Sequence, residues 1–341
     1  MQAAFAIPGD LSTPTGGYVY DRRVIEASAG ALTQVRLADG FPDPSEDDLR
    51  NAATALSALN GPALIDGLAY GAFPTALIDA LPHAPIALCH HPLGLEAGLS
   101  AERAAALIEN ERAALARAAH VVVTSAATKR TLLADFGLND AAVTIAPPGL
   151  DRAPPANPAA GPPIILTVAS ITPRKAHDVL IDALAALRDL HWRAVWVGPD
   201  DRAPDWAERI RARVAASGVA DRIEMRGGCG PEELEERYGE ASIFCLPSRY
   251  EGYGMVFAEA MMRALPIVAA ETEAAREVIP TAAGRIAATG DAASLASALR
   301  AMLEDPSARE DAGRAGRAHA LTLPDWSATW SIVKEVLEAH R

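Results

Sequence analysis

The sequence predicts an α/β protein of two domains, each built on a parallel sheet. Three observations carry this. The chain has 341 residues, enough for two domains of ordinary size that each bury a core. Short apolar runs such as Ile243-Phe244-Cys245-Leu246 and Ile267-Val268-Ala269-Ala270 suit strands buried on both faces. These runs alternate with stretches of helical periodicity, interrupted by APPANPAAGPP at 153–163, whose proline and alanine density reads as an interdomain linker.

In the first domain, residues 3–7 form an opening strand, and Gly16-Gly17 lies between it and a helix-like run over 20–30. A glycine pair there gives a backbone that a ligand can touch, although a plain turn explains it equally well. Residues 41–48, FPDPSEDD, read as a solvated acidic loop, followed by a helix over 51–59. Apolar runs at 62–68 and 86–89 suit parallel strands. The second ends in His90-His91-Pro92, which puts two imidazoles at the carboxyl end of a strand, where open α/β sheets bind ligands. Adjacent strand residues point opposite ways, so at most one histidine faces the cleft, and His90 is favoured over His91. A metal reading is poor, because no other His, Cys or carboxylate lies at a helical or strand spacing that completes a shell. Glu96 reads as a solvated helix-start residue, with an acceptor-side role as the alternative. A helix over 100–117, a strand at 121–124, a helix start at Ser125 and a strand at 143–146 complete the domain.

The second domain opens with a strand at 164–169 and a turn carrying Arg174-Lys175 before a helix at 177–187. Adjacent cations just after a strand end suit a diphosphate leaving group, whose charge they would stabilise without a metal. Strands at 194–197 and 223–226 follow, with helices at 206–217 and 231–238. Gly227-Gly228-Cys229-Gly230 lies between the later strand and helix. Next comes the most informative stretch, residues 243–270. Strand, glycine loop (Glu251-Gly252-Tyr253-Gly254) and helix N-terminus in that order make an anion site. Glu251 and Glu259 flank it, and a carboxylate accepts hydrogen bonds from two neighbouring hydroxyls at once. The pattern therefore describes a pocket for a ligand with both phosphate and sugar hydroxyls. The amphipathic run from Trp326 to His340 closes the sequence.

The segment EGYGMVFAEAM, with Glu251 and Glu259 separated by seven residues, resembles the signature of family 4 (group 1) retaining glycosyltransferases, usually close to EGFGLVLLEAM. The resemblance implies the GT-B fold, in which two Rossmann-like domains face each other across a cleft. The implied domains are 1–153 on the acceptor side, a linker at 154–163, and a nucleotide-sugar-binding domain at 164–322. A helix at 323–341 then packs back on the first domain. Residue by residue, the resemblance implies that Glu259 holds the ribose and Glu251 faces hydroxyls of the donor sugar. The backbone of Gly254, Met255 and Val256 meets the sugar and diphosphate, and Gly227 and Gly228 meet the base. Gly16 and Gly17 match the loop over the donor phosphates, and a histidine at the position of His90 lines the sugar pocket. Arg174 and Lys175 match the phosphate-binding cations, while Ser170 replaces an earlier arginine. The implied reaction is transfer of a hexose from a UDP- or GDP-sugar co-substrate to a lipid, polysaccharide or small molecule by front-face substitution. No metal and no cofactor are expected, since no Asp-x-Asp motif is present. The alternatives are another GT-B enzyme such as an epimerase, or a two-lobed sugar- or nucleotide-binding protein.

Composition narrows the remaining classes. A net charge of −13 disfavours a general nucleic-acid binder. No window approaches ~18 uninterrupted apolar residues, so no spanning helix is expected. A peripheral membrane contact through Arg22-Arg23 stays open. The first ten residues lack a basic region and a long apolar core, and three scattered cysteines argue against a disulfide framework. A cytoplasmic location is expected. The donor sugar, base, acceptor and oligomeric state are left open by the sequence.

Overall fold

The computed structural model describes residues 2–96 and 98–340. The chain divides into two compact units, Met1–Gly149 with Pro324–Arg341, and Leu150–Leu323. Each is built on one six-stranded parallel sheet.

The first unit runs β1 (Ala3–Pro8), α1 (Gly16–Ala27), β2 (Leu32–Leu37), α2 (Glu46–Ser57), β3 (Ala63–Asp66) and two short helices, α3 (Gly67–Tyr70) and α4 (Thr75–Asp79). It continues with β4 (Ile86–Cys89), α5 (Ala101–Leu115), β5 (His120–Val123), α6 (Ala126–Asp135) and β6 (Val143–Ile145). The strand order is β2-β1-β3-β4-β5-β6. The order reverses between β1 and β3, which makes the carboxyl ends of those strands the natural ligand crevice. Of the stretch 41–48 expected to be a solvated loop, residues 41–45 lie outside any helix or strand, while Glu46, Asp47 and Asp48 form the first turn of α2. Ser45 caps the helix by accepting from the Asp48 backbone N–H, and the Asp48 carboxylate accepts in return from the Ser45 backbone N–H at 2.9 Å. Three acidic residues in the first turn also complement the helix dipole.

The second unit runs β7 (Ile164–Val168), α7 (His177–Ala185), β8 (Arg193–Val197), α8 (Pro204–Ala216), β9 (Ile223–Met225), α9 (Pro231–Glu240) and β10 (Ile243–Leu246). Then come α10 (Met255–Met262), β11 (Ile267–Ala270), α11 (Glu273–Val278), β12 (Gly284–Ala287), α12 (Ala292–Glu304) and α13 (Pro306–Ala320). The strand order is β12-β11-β10-β7-β8-β9, so the reversal falls between β10 and β7. Strand alternation fills both faces. Ile165, Trp196, Ile243, Cys245 and Val268 pack on one side, and Leu166, Val195, Phe244, Leu246 and Ile267 on the other. Burying a large apolar side chain is worth about 1.5–3 kcal/mol, so both faces hold the register and neither tolerates a slip.

Residues 153–163 carry no regular element, as a linker would, but they are not loose. The Ala156 N–H donates to the Arg263 carbonyl at 2.7 Å and the Asn157 N–H to Gly239 at 2.9 Å. The last helix, α14 (Trp326–Ala339), belongs to the first unit. Trp326 meets Tyr20 of α1 edge-on at 5.7 Å, and the Thr329 hydroxyl donates to the Pro147 carbonyl at 2.7 Å. Among the described residues, no helix is long and apolar enough to cross a membrane.

Candidate functional site

In the second unit, the loops after β7 and β10 meet at the strand-order reversal. Three residues singled out from the sequence come together there. Lys175 Nζ lies 2.6 Å from Glu251 Oε1, and Arg174 Nη1 lies 3.6 Å from Glu251 Oε2. Glu251 is buried, which by itself penalises its charge. The Lys175 and Arg174 cations outweigh that and hold its pKa below the ordinary range. Two cations against one carboxylate leave the cluster net positive, as an anion site requires.

The frame around this cluster is made of backbone and of one further arginine. The Arg249 backbone N–H donates to the Arg174 carbonyl at 2.8 Å, and Arg174 Nη1 donates to the Tyr250 carbonyl at 3.2 Å. The Arg249 guanidinium donates to the Pro173 carbonyl at 2.6 Å and forks onto Asp178. The sequence reading had assigned nothing to Arg249 or Asp178. Gly254 adopts φ +82°, a left-handed conformation that turns the chain into α10, and a Cβ there would sit 2.5 Å from the Phe257 ring. The first N–H groups of Met255 and Val256 therefore start the helix without a side-chain cap. Within α10, Glu259 accepts from the Tyr238 hydroxyl at 2.8 Å, and burial raises its pKa.

Gly227, in positive φ, accepts the Gly198 N–H with its carbonyl at 2.7 Å and lines a cavity of 190 Å³ shared with Trp196, Gly198, Asp200 and Arg211. Gly228 is exposed beside it. The arginines of α8 form no free basic patch. Arg211 pairs with Asp200 and Glu208, Arg213 pairs with Asp182, and Arg209 stacks over Trp206. His177, one turn beyond the cations, is fully buried with both ring nitrogens unpartnered, its ring edge-on to Trp196 at 5.1 Å. Burial, with the Lys175 charge adding to it, pushes its pKa down to about 3.

In the first unit, the two histidines diverge just past the end of β4. His91 Nε2 lies 2.9 Å from Glu96 Oε2, so Glu96 is a hydrogen-bond partner in the loop and not the start of a helix, which Ser100 caps instead. His90 turns inward. Its Nε2 lies 3.0 Å from Asp21 Oδ1 and 3.3 Å from Asp66 Oδ2. Gly17 packs against the ring, since a Cβ there would come within 3.2 Å of His90 Cδ2, whereas Gly16 has open space. The spacing argument against further ligating groups near His90 is thus corrected. Asp21 lies on α1 and Asp66 ends β3, and parallel pairing brings these distant positions to one strand-end cluster. The three donor atoms lie within 4.8 Å of one another, the one such group among the described residues. Asp21 and Asp66 are buried, so water has little access to complete the four to six ligands a divalent ion takes. The spacings match hydrogen bonds shared around a proton.

The glycosyl transferases group 1 family matches residues 152–319. A D-inositol 3-phosphate glycosyltransferase from Kineococcus radiotolerans is 30% identical over 256 residues, covering 66% of this chain and 58% of that protein. The chain spans about half the length of the curated relatives it matches. Among solved structures, sucrose-phosphate synthase from Thermosynechococcus elongatus superposes with a TM-score of 0.85 at 21% identity, over 99% of both chains. Anabaena HepE in complex with UDP-glucose gives 0.81 at 16% identity, over 98% of this chain and 99% of that one. These likenesses are of the GT-B fold. The second parallel-sheet unit is thus the part of the chain that matches the group 1 glycosyl transferases.

Proposed function

We propose that the protein is a hexosyltransferase of the retaining, family 4 type, which takes its hexose from a nucleoside-diphosphate sugar. The observation that carries this reading is the Arg174–Lys175–Glu251 cluster at the β7/β10 reversal, beside the N-terminus of α10. It combines net positive charge with a helix N-terminus that has no side-chain cap and a carboxylate fixed by its neighbours, as a diphosphate joined to a sugar would need.

In the proposed reaction the bond between the sugar C1 and the diphosphate oxygen breaks, and its electron pair leaves with the nucleoside diphosphate. Arg174 and Lys175 stabilise that charge without a metal. The acceptor hydroxyl attacks C1 from the same face and passes its proton to the departing diphosphate, so configuration is retained. Glu251, held by Lys175, orients donor hydroxyls, and Glu259 takes the ribose diol. The N–H groups of Gly254, Met255 and Val256 meet sugar and diphosphate. Gly227 and Gly228 are assigned to the base, Gly16 and Gly17 to close backbone approach, and His90 to a sugar oxygen. The donor base (uracil or guanine) and the acceptor are the variables to be determined.

A thermal-shift panel of UDP, GDP, ADP and NAD, run on the wild type and on Glu259→Ala, tests the reading. A ligand bound only by the folded state at one hundred times its Kd adds about 2.7 kcal/mol of stability. One nucleoside diphosphate should stabilise the wild type and lose that effect in the variant. Stabilisation by NAD alone, or by none of the four, would overturn the donor-site assignment and leave a two-lobed binding protein or another GT-B enzyme.

A further inference from the structure

The cluster around His90 is more elaborate than a strand-end histidine needs to be. Its Nε2 faces two carboxylates at once, Asp21 Oδ1 at 3.0 Å and Asp66 Oδ2 at 3.3 Å. Both carboxylates are buried, while 19% of the His90 side chain remains accessible. Asp66 is itself committed, since its Oδ1 accepts the Leu68 N–H at 2.9 Å and caps α3. Asp21 Oδ2 is buried and has no partner. Two buried carboxylates directed at one ring nitrogen are a costly arrangement unless that nitrogen carries a proton and the ring a positive charge. With Nε2 donating to both, Nδ1 is the ring nitrogen with no hydrogen bond to protein.

We propose that Asp21 and Asp66 are positioning residues that fix His90 as an imidazolium, with Nε2–H shared between them and Nδ1–H presented as a donor to a substrate oxygen. The inference rests on the sugar-transfer reading for the identity of that oxygen, and on the cluster alone for the state of the ring.

The surroundings agree from every side. From α1 come Asp21 and the Tyr20 ring, which stands edge-on at 5.2 Å, and from β3 comes Asp66. From the β5–α6 side, the Thr124 and Thr128 hydroxyls approach the His90 carbonyl, not its ring, at 3.4 Å. Cys89 points away, towards Glu111, with Sγ 3.9 Å from Oε1. The titratable groups facing the ring are therefore the two aspartates and Tyr20, whose hydroxyl donates to the Ala146 carbonyl at 2.9 Å and is kept neutral by burial and by the nearby Asp21 charge. Burial alone would discharge the imidazole, but the Asp21 and Asp66 carboxylates more than offset it and raise the pKa to about 10. Asp21 itself is raised to about 7, by burial first. The ring keeps its proton through neutral pH, and Asp21 is the group that gains one as pH falls. An uncharged histidine could donate from only one nitrogen. This arrangement makes the outward nitrogen a donor at every working pH.

The test is nitrogen NMR of ¹⁵N-histidine-labelled full-length protein, with His90 assigned by comparison to His90→Gln. In the wild type both ring nitrogens should read as protonated at pH 8. In Asp21→Asn, an isosteric change, the ring should lose its proton near neutral pH. Asp66→Asn, which retains the cap on α3, provides a second variant should the first fail to fold. A neutral His90 ring in the wild type at pH 8 would overturn the proposal. A calorimetric comparison of UDP with UDP-glucose, and of GDP with GDP-mannose, addresses the oxygen. Asp21→Asn should weaken the matching nucleotide-sugar about tenfold at pH 8 and leave the bare nucleotide unchanged. Equal weakening of both would overturn the assignment of the Nδ1 donor to sugar. If no nucleotide binds at all, the sugar-transfer reading fails, while the NMR result decides the state of the ring independently.

Discussion

Arg249 and Asp178 form a forked ion pair, with Nη1–Oδ1 at 3.1 Å and Nη2–Oδ2 at 2.7 Å. The pair ties the loop after β10 to the first turn of α7, and the Arg174-Lys175 turn lies between the two. Asp178 is held below the ordinary carboxylate range. Its burial opposes this, and the Arg249 hydrogen bonds and charge prevail.

Breaking this pair should loosen the cations without removing either one. Arg249→Ala and Asp178→Ala should each weaken nucleoside-diphosphate binding by about 0.5–1.4 kcal/mol, roughly two- to tenfold. The double variant should be little worse than either single one, because both delete the same contact. Arg249→Lys should not rescue, since an ammonium lacks the planar fork. Strict additivity in a calorimetric double-mutant cycle would show that the pair does not act on the turn as a unit.

Tyr238→Phe should separate the orientation of Glu259 from its presence. The hydroxyl donates to Glu259 at 2.8 Å, and its loss should cost about 1 kcal/mol of stability. Glu259 would keep its place in α10 but lose its fixed direction, and without that hydrogen bond its pKa would rise further. The preference for a ribonucleoside diphosphate over its 2′-deoxy counterpart should therefore narrow several-fold, measured by titration calorimetry. An unchanged preference would argue that Glu259 is held by the helix alone.

His177 makes a prediction about pH. Its folded-state pKa, near 3, lies below the unfolded value of about 6.5, so the unfolded chain takes up a proton that the native ring refuses. Stability should fall as pH drops below about 6.5, by up to ~1.4 kcal/mol per pH unit from this group, until pH nears 3. His177→Leu should remove that slope. It should also add about 1–2 kcal/mol at pH 7, because two buried nitrogens lack partners. Urea melts at pH 5 and pH 7 on both proteins provide the comparison. Parallel losses in the two would mean the ring is hydrated in solution.

Much of the second unit could be read directly. Continuous apolar runs have one interpretation when glycine or proline bounds them, and β10 and β11 fall on the residues expected for them. Glu251 and Glu259 stand out in the sequence because the strand, loop and helix that carry them are contiguous. The His90 cluster was out of reach for the opposite reason. Asp21 and His90 are 69 positions apart, and strand order, which no local pattern encodes, brings them together. Helix α2 was legible in principle, since Ser45 and Asp48 form the reciprocal cap at the expected spacing. Reading the acids as a sign of solvation hid their role at a helix start. Arg249 and Asp178 had no signal of their own, because a charged pair across two loops looks the same in sequence as two solvated charges.

The return of α14 to the first unit sets an order of assembly during synthesis. The second unit is one unbroken stretch of chain, and it can close while the ribosome is still at work. The first unit has Tyr20 waiting for Trp326 and the Pro147 carbonyl waiting for Thr329, so it stays incomplete until the last helix emerges. A fragment cut after Gly149 would accordingly expose the α14 face of α1. The first unit is best expressed alone as residues 1–149 joined by a short linker to residues 324–341.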